Sequence, residues 1–180
     1  MKLLNEALRK IETLWSKEPK HAVHRGEKTF FQFRCILNNG ISPDRFGDID
    51  LQLPTEFKEF LLVSNGADLF KDEEYGQWGA RIFSIDELQS SNKYYRELRP
   101  KDFTKGDLII GEFYGDSDLL LLRCDPESKD YGAVLIALPF DNRSDWYCSV
   151  NFENFITDYV NSEGDKFWEI QTKNNFIEAQ

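Results

Sequence analysis

The sequence predicts an α+β fold: an antiparallel β-sheet meander with helices packed against it, and an extra amphipathic helix at the N-terminus. Three observations carry this expectation. Short apolar runs bounded by turn residues crowd residues 107–150, segments with helical spacing lie on both sides of them, and the first fifteen residues repeat their apolar positions every three or four residues. The chain has 180 residues with 15 Phe, 7 Tyr and 4 Trp, enough large apolar surface for one core, so a single domain is expected over residues 1–180.

Leu4, Ala7/Leu8, Ile11 and Leu14/Trp15 define the apolar stripe of the N-terminal helix, with Lys, Arg and Glu between them. Pro19 disfavours the α conformation in the residue before it, which places the helix end at Lys17–Glu18. Residues 20–50, with Phe30, Phe31, Phe33 and the turn-rich NNGISPDRFGD, carry no clear assignment. In LPTEFKEFLLVSNG, Pro54 suits a first helical position, and Phe57, Phe60 and Leu61 share one face. Asn65–Gly66 can take the left-handed conformation that closes a helix. A strand at Ala80–Phe83 follows, and then Ser84 and Glu87 form the Ser-x-x-Glu capping box of a second helix.

The second half reads as strands: DLIIGEFY (107–114), DLLLLRCD (118–125), AVLIALP (133–139) and DWYCSV (145–150), with a tight turn at Gly115–Asp116. Leu119–Leu122 shows no alternation, which predicts a central strand covered on both faces. Phe152, Phe155/Ile156 and Tyr159/Val160 return to helical spacing, and residues 163–180 either add a helix through Phe167, Trp168 and Ile170 or fray.

Charge narrows the partners. Residues 1–35 hold eight basic and four acidic residues, whereas the remaining 145 hold 14 basic and 28 acidic ones. Such a body repels nucleic acid and anionic membranes and attracts a basic protein surface; an acidic surface that merely maintains solubility is the other reading. No apolar run approaches the roughly 20 residues of a membrane span, and the N-terminus lacks the continuous apolar stretch of a secretory signal. Cys35, Cys124 and Cys148 are odd in number and widely spaced, which points to a reducing compartment and to a cytoplasmic protein.

Three stretches together resemble the SUKH superfamily, which includes fungal Smi/Knr cell-wall regulators and many bacterial toxin-immunity proteins. They are LPTEFKEFLLVSNGADLF (53–70), RIFSIDEL (81–88), and the hairpin IIGEFYGDSDLLLLRCD followed by GAVLIAL and NFENFITDYV. The similarity runs in order through residues 40–160 and leaves the two ends of the chain outside it. It implies an antiparallel sheet with packed helices, a cleft between the loop around Trp78 and the sheet, and a non-enzymatic partner-binding protein. In bacteria the implied role is immunity, here against a toxin whose surface is basic, such as a nuclease. The fungal branch implies the alternative, a regulatory or scaffold module linked to cell-envelope synthesis.

Five residues stand out as partner-binding candidates. Trp78, between Gly76 and Gly79, follows Tyr75 in an acidic loop and resembles an interface anchor; a loop aromatic folded down over the core is the alternative. Tyr114, Asp116 and Asp118 form the second cluster, at a hairpin tip that reads as a partner contact or as an ordinary hydrophilic turn. Asp-x-Asp alone lacks the further oxygen ligands of a Ca²⁺ loop, and a hydrolase using these carboxylates is the remaining reading. His21 and His24 lie near Cys35 but lack the paired ligands of a zinc site, so no metal or cofactor is expected. No nucleophile motif or phosphate loop occurs, and the three cysteines read as small buried apolar residues.

Overall fold

Every neighbour in the sheet is the next strand along the chain. β1 (Lys20–His24), β2 (Glu27–Leu37), β3 (Ala67–Asp72), β4 (Ala80–Ile82), β5 (Asp107–Phe113), β6 (Leu119–Arg123), β7 (Val134–Ala137) and β8 (Cys148–Ser149) form one antiparallel meander. The structure, a computed structural model, describes residues 2–24, 27–48 and 52–169. The meander expected for the second half therefore also includes β1 and β2, in a stretch where the sequence offered no assignment.

The helices follow the apolar pattern closely. α1 (Lys2–Lys10) buries Leu4, Ala7 and Leu8, and the chain then widens into a π-helical turn, Ile11–Trp15, closed by Ser16 N donating to Ile11 O at 3.0 Å. Thr13 Oγ1 donates back to Arg9 O at 2.7 Å across this widening. Helical structure thus ends at Trp15, ahead of the residues adjoining Pro19. Trp15 lies edge-on to Phe70 with ring centroids 5.0 Å apart.

α2 (Thr55–Val63) buries Phe57, Phe60 and Leu61, with Pro54 one residue ahead of it as the N-cap. Its end corrects the expectation for Asn65–Gly66. The helix stops at an extended Ser64; Gly66 takes φ +82 beyond it, and the Asn65 side chain accepts from Ile85 N at 2.8 Å. Asn65 thereby serves the start of α3 (Ile85–Leu98), whose Ser84–Glu87 capping box is present.

Phe113 packs edge-on against Tyr159 of α4 (Phe152–Asn161), while the adjacent Glu112 accepts from Tyr95 of α3. Because neighbouring strand residues point to opposite faces, α4 and α3 cover opposite sides of β5. This double cover buries Leu119–Leu122 completely, as the unbroken apolar run predicts. Beyond the end of β4, Asn92 of α3 accepts from Ile109 N at 2.9 Å and donates to Ile109 O at 2.8 Å, standing in for a strand.

The strand expected at residues 145–150 shortens to Cys148–Ser149. Arg143–Asp145 forms a 3₁₀ turn instead, held by two bonds from Arg143 to Asp107 at 2.8 and 2.9 Å. After α4, Trp168 is buried against Phe113, Tyr147 and Tyr159; Ile170 and the rest of the tail lie outside the described residues. Among the described residues, no helix is long and apolar enough to cross a membrane.

Candidate functional site

The β3–β4 loop is built on Asp72. Its carboxylate accepts from Glu74 N at 2.9 Å and Tyr75 N at 3.3 Å, while its amide donates to Trp78 O at 3.2 Å. Gly79 takes φ +97, and a Cβ there would lie 2.5 Å from Phe70 O. Only glycine lets the loop return this close to β3. The turn aims Trp78 inward: its ring stacks on Phe33 at 6.1 Å, and Nε1 donates to Gly164 O at 3.1 Å. Trp78 is thus half-buried on the core with its indole N–H satisfied, the arrangement of an aromatic folded over the core. Tyr75 stays 60% exposed, with its ring edge-on to Phe31 at 5.8 Å.

The β5–β6 tip meets this loop directly. Tyr114 N donates to Gly79 O at 3.0 Å, and a Cβ on Gly115 would lie 2.5 Å from Gln77 O. The Tyr114 hydroxyl donates to Asp68, and Lys71 Nζ sits 4.8 Å from the ring centroid. Burial first, and then the bond to Asp68, raise the Tyr114 pKa.

Asp116 and Asp118 share one cation, Lys166, which bonds Asp116 and lies 3.2 Å from Asp118 Oδ2. Asp118 is only 7% exposed, so it is not the open surface carboxylate that a hydrophilic tip implies. Burial raises its pKa despite Lys166. Burial also opposes the charge on Lys166, but the two carboxylates overcome it and raise that pKa. Nothing in the sequence marked Lys166: it lies 48 residues from Asp118, in the chain that leaves α4. The turn at Gly164 delivers it, with φ +82 and a hypothetical Cβ 2.5 Å from Phe70 Cγ.

These pieces enclose a cavity of about 330 Å³ lined by Gln77, Trp78, Tyr114, Asp116, Gly164 and Lys166. Three of the five sequence-selected residues therefore meet at one place; Tyr75 and Asp118 do not line it. Beside it, the side of the sheet that faces α3 carries a polar row. Tyr114 donates to Asp68, Arg81 pairs with Glu87 and lies 3.9 Å from Glu112, and Tyr95 donates to Glu112.

The remaining candidates separate. Cys35 and Cys124 are buried and their thiol pKa values are pushed up to about 12 by that burial, whereas Cys148 is exposed, correcting its reading as a buried residue. His21 is exposed and the His24 side chain lies outside the described residues; no cluster of three or more His, Cys, Asp or Glu side chains among the described residues is placed to hold a metal ion.

The profile of the SMI1 / KNR4 family (SUKH-1) matches residues 47–171, which span α2 to the Trp168 segment and hold the whole cavity. The chain belongs to the SMI1 / KNR4 (SUKH-1) family. It is 26% identical over 145 residues to the "Uncharacterized protein YobM" of Bacillus subtilis (strain 168), covering 78% of this chain and 74% of that protein. It is 27% identical over 134 residues to the "Uncharacterized protein YnaB" of the same strain, covering 72% of this chain and 83% of that one. The SUKH-1 match begins before α2, so α1, β1 and β2 precede the family's matched region.

Proposed function

We propose that this SUKH-1 chain acts as a single, non-enzymatic domain that binds another protein: an immunity protein that occupies a cytotoxic effector with a basic surface, such as a nuclease, in the cytoplasm. The observation that carries the reading is how the site spends its polar groups. The deep groups are already satisfied, Tyr114 by Asp68 and Asp118 by Lys166, which leaves little for acid–base chemistry. The β3–β4 loop offers Tyr75, 60% exposed, and the cavity edge the Asp116 side chain, 41% exposed, a combination of aromatic anchor and peripheral charge suited to an interface. The acidic body around it favours a basic protein over nucleic acid or an anionic membrane.

The test is binding kinetics of the full chain against any toxin domain that the neighbourhood of its gene encodes, at two salt concentrations. Tyr75→Ala touches no buried group and is expected to speed dissociation about thirtyfold, the equivalent of ~2 kcal/mol for a hot-spot aromatic. Asp116→Lys is expected to slow association at low salt, with the defect shrinking as salt rises. Both variants are first checked for an unchanged circular dichroism spectrum. Parent-like rates for both would move the interface elsewhere, and absence of binding by the parent would remove the immunity reading for that pair.

A further inference from the structure

β2 outlasts its outer neighbour. β1 pairs with β2 from His24↔Glu27 to Lys20↔Phe33, whereas the β2–β3 pairing continues to Leu37↔Ala67. Pro19, which has no N–H to donate, stands where β1 would have to continue. From Ser16 to Pro19 the chain bends away toward the π-helical turn. The pleat shows which groups this leaves open. Glu73 N donates to Gln32 O at 3.0 Å and Asn38 N donates to Gly66 O at 3.5 Å, so the even-numbered residues of β2 bond toward β3. The amides and carbonyls of Cys35 and Leu37 therefore face the opposite edge. Among the described residues, no main-chain bond reaches them there from Ser16–Pro19.

This edge borders a groove of about 420 Å³, with Arg34–Leu37 on one side and Glu12 and Ser16 of the π-helical segment on the other. Two features of the far wall are also unspent. The Ser16 hydroxyl is shielded from solvent without a hydrogen-bond partner among the described residues. Glu12 is exposed and has no ion-pair partner there, while Arg34 across the groove is engaged by Lys17 O at 3.4 Å and Glu73 at 3.8 Å. Of the charged side chains that line the groove, Glu12 is thus the one without an ion pair among the described residues.

We infer that this groove takes an extended segment of a partner protein, carrying a basic side chain, which adds to the sheet beside Arg34–Leu37 where β1 stops. An extended backbone supplies both the donors and the acceptors that Cys35 and Leu37 leave open, and its lysine or arginine meets Glu12. A second copy of this chain does not fit as well. Its own β2 edge stands behind the same π-helical wall, so two such edges cannot close on one another, whereas a slender single segment slides between wall and strand. The groove shares no lining residue with the Trp78 cavity, and the inference is independent of the immunity reading.

The experiment pans a random octapeptide library on the immobilised full chain and takes the enriched peptides into titrations. Enriched sequences are expected to carry at least one Lys or Arg and to slow amide exchange at Cys35 and Leu37. N-methylation along such a peptide should weaken binding at every second residue, the signature of strand pairing. Leu37→Pro removes an N–H that faces the open edge and no bond of the fold, so it should leave the melting temperature near that of the parent and weaken binding at least tenfold. Glu12→Lys should weaken it at least threefold, and less in high salt. If Leu37→Pro does not fold, the N-methyl pattern and Glu12→Lys decide alone. Failure to enrich any peptide, protection of another segment, or an N-methyl scan without period two would overturn the proposal.

Discussion

Strands β5 and β6 carry aspartates at both ends, and the molecule treats the two ends in opposite ways. At one end Asp107, 1% exposed, is gripped by Arg143 through two bonds of 2.8 and 2.9 Å and by Arg123, which also holds Asp130 at 2.9 Å. Thr104 adds a backbone bond to the same carboxylate at 2.7 Å. At the other end Asp116 and Asp118 share a single lysine, and Asp116 remains at the surface. The first end is a planar, multiply bonded arginine site that ties three loops to the sheet. The second end is a point-charge contact at the edge of a cavity. Similar acidic turns thus become a structural fastening or an accessible rim according to which cations the fold brings to them.

Three substitutions break or sharpen this contrast. The largest effect is expected between the two ends. Leu120 is fully buried, and Leu120→Asp places an unpaired charge in the core, costing several kcal/mol and leaving no cooperative thermal transition by circular dichroism. A soluble variant with the parent's melting temperature would overturn the sheet assignment. Next comes Asp107→Ala, which strips the buried carboxylate from two arginines and should cost about 3–5 kcal/mol in urea denaturation. A loss below about 1 kcal/mol would make that end no different from an ordinary surface pair.

The smallest of the three effects belongs to Lys166→Met, expected at about 1–3 kcal/mol at neutral pH because Asp118 is left buried without its cation. Its pH dependence carries the sign. Burial already raises the Asp118 pKa above its ordinary value of 3.8, so the folded state binds that proton more tightly than the unfolded state does. The stability of the variant relative to the parent should therefore recover as pH falls through the raised native value toward 3.8, and the deficit should be fully present above it. Denaturation midpoints at several acidic pH values would show it; a pH-independent difference would mean that lost packing on Phe113, and not charge, explains the cost.

Much of this fold was legible in residue spacing. Period-two and unbroken apolar runs located β5, β6 and β7, and helical spacing with a capping box located α2, α3 and α4, because these patterns record along the chain which side chains must be buried. Residues 20–37 gave no such signal: β2 has one outward face of Phe30, Gln32, Arg34 and Ile36, and its place is decided by pairing with β3, thirty residues on. The site divides in the same way. Glycines around Trp78 and an Asp-rich tip could be read as turns, and they do meet at one cavity. That Trp78 turns inward to Gly164, that Lys166 pairs with both tip aspartates, and that Asn65 caps a helix twenty residues away were decided only in three dimensions. The sequence by itself determined which segments must bury a face, since burial follows from local periodicity. Which polar groups finish paired and which stay open depended on partners from distant segments, because a hydrogen bond or ion pair is set by distance in space and carries no period along the chain.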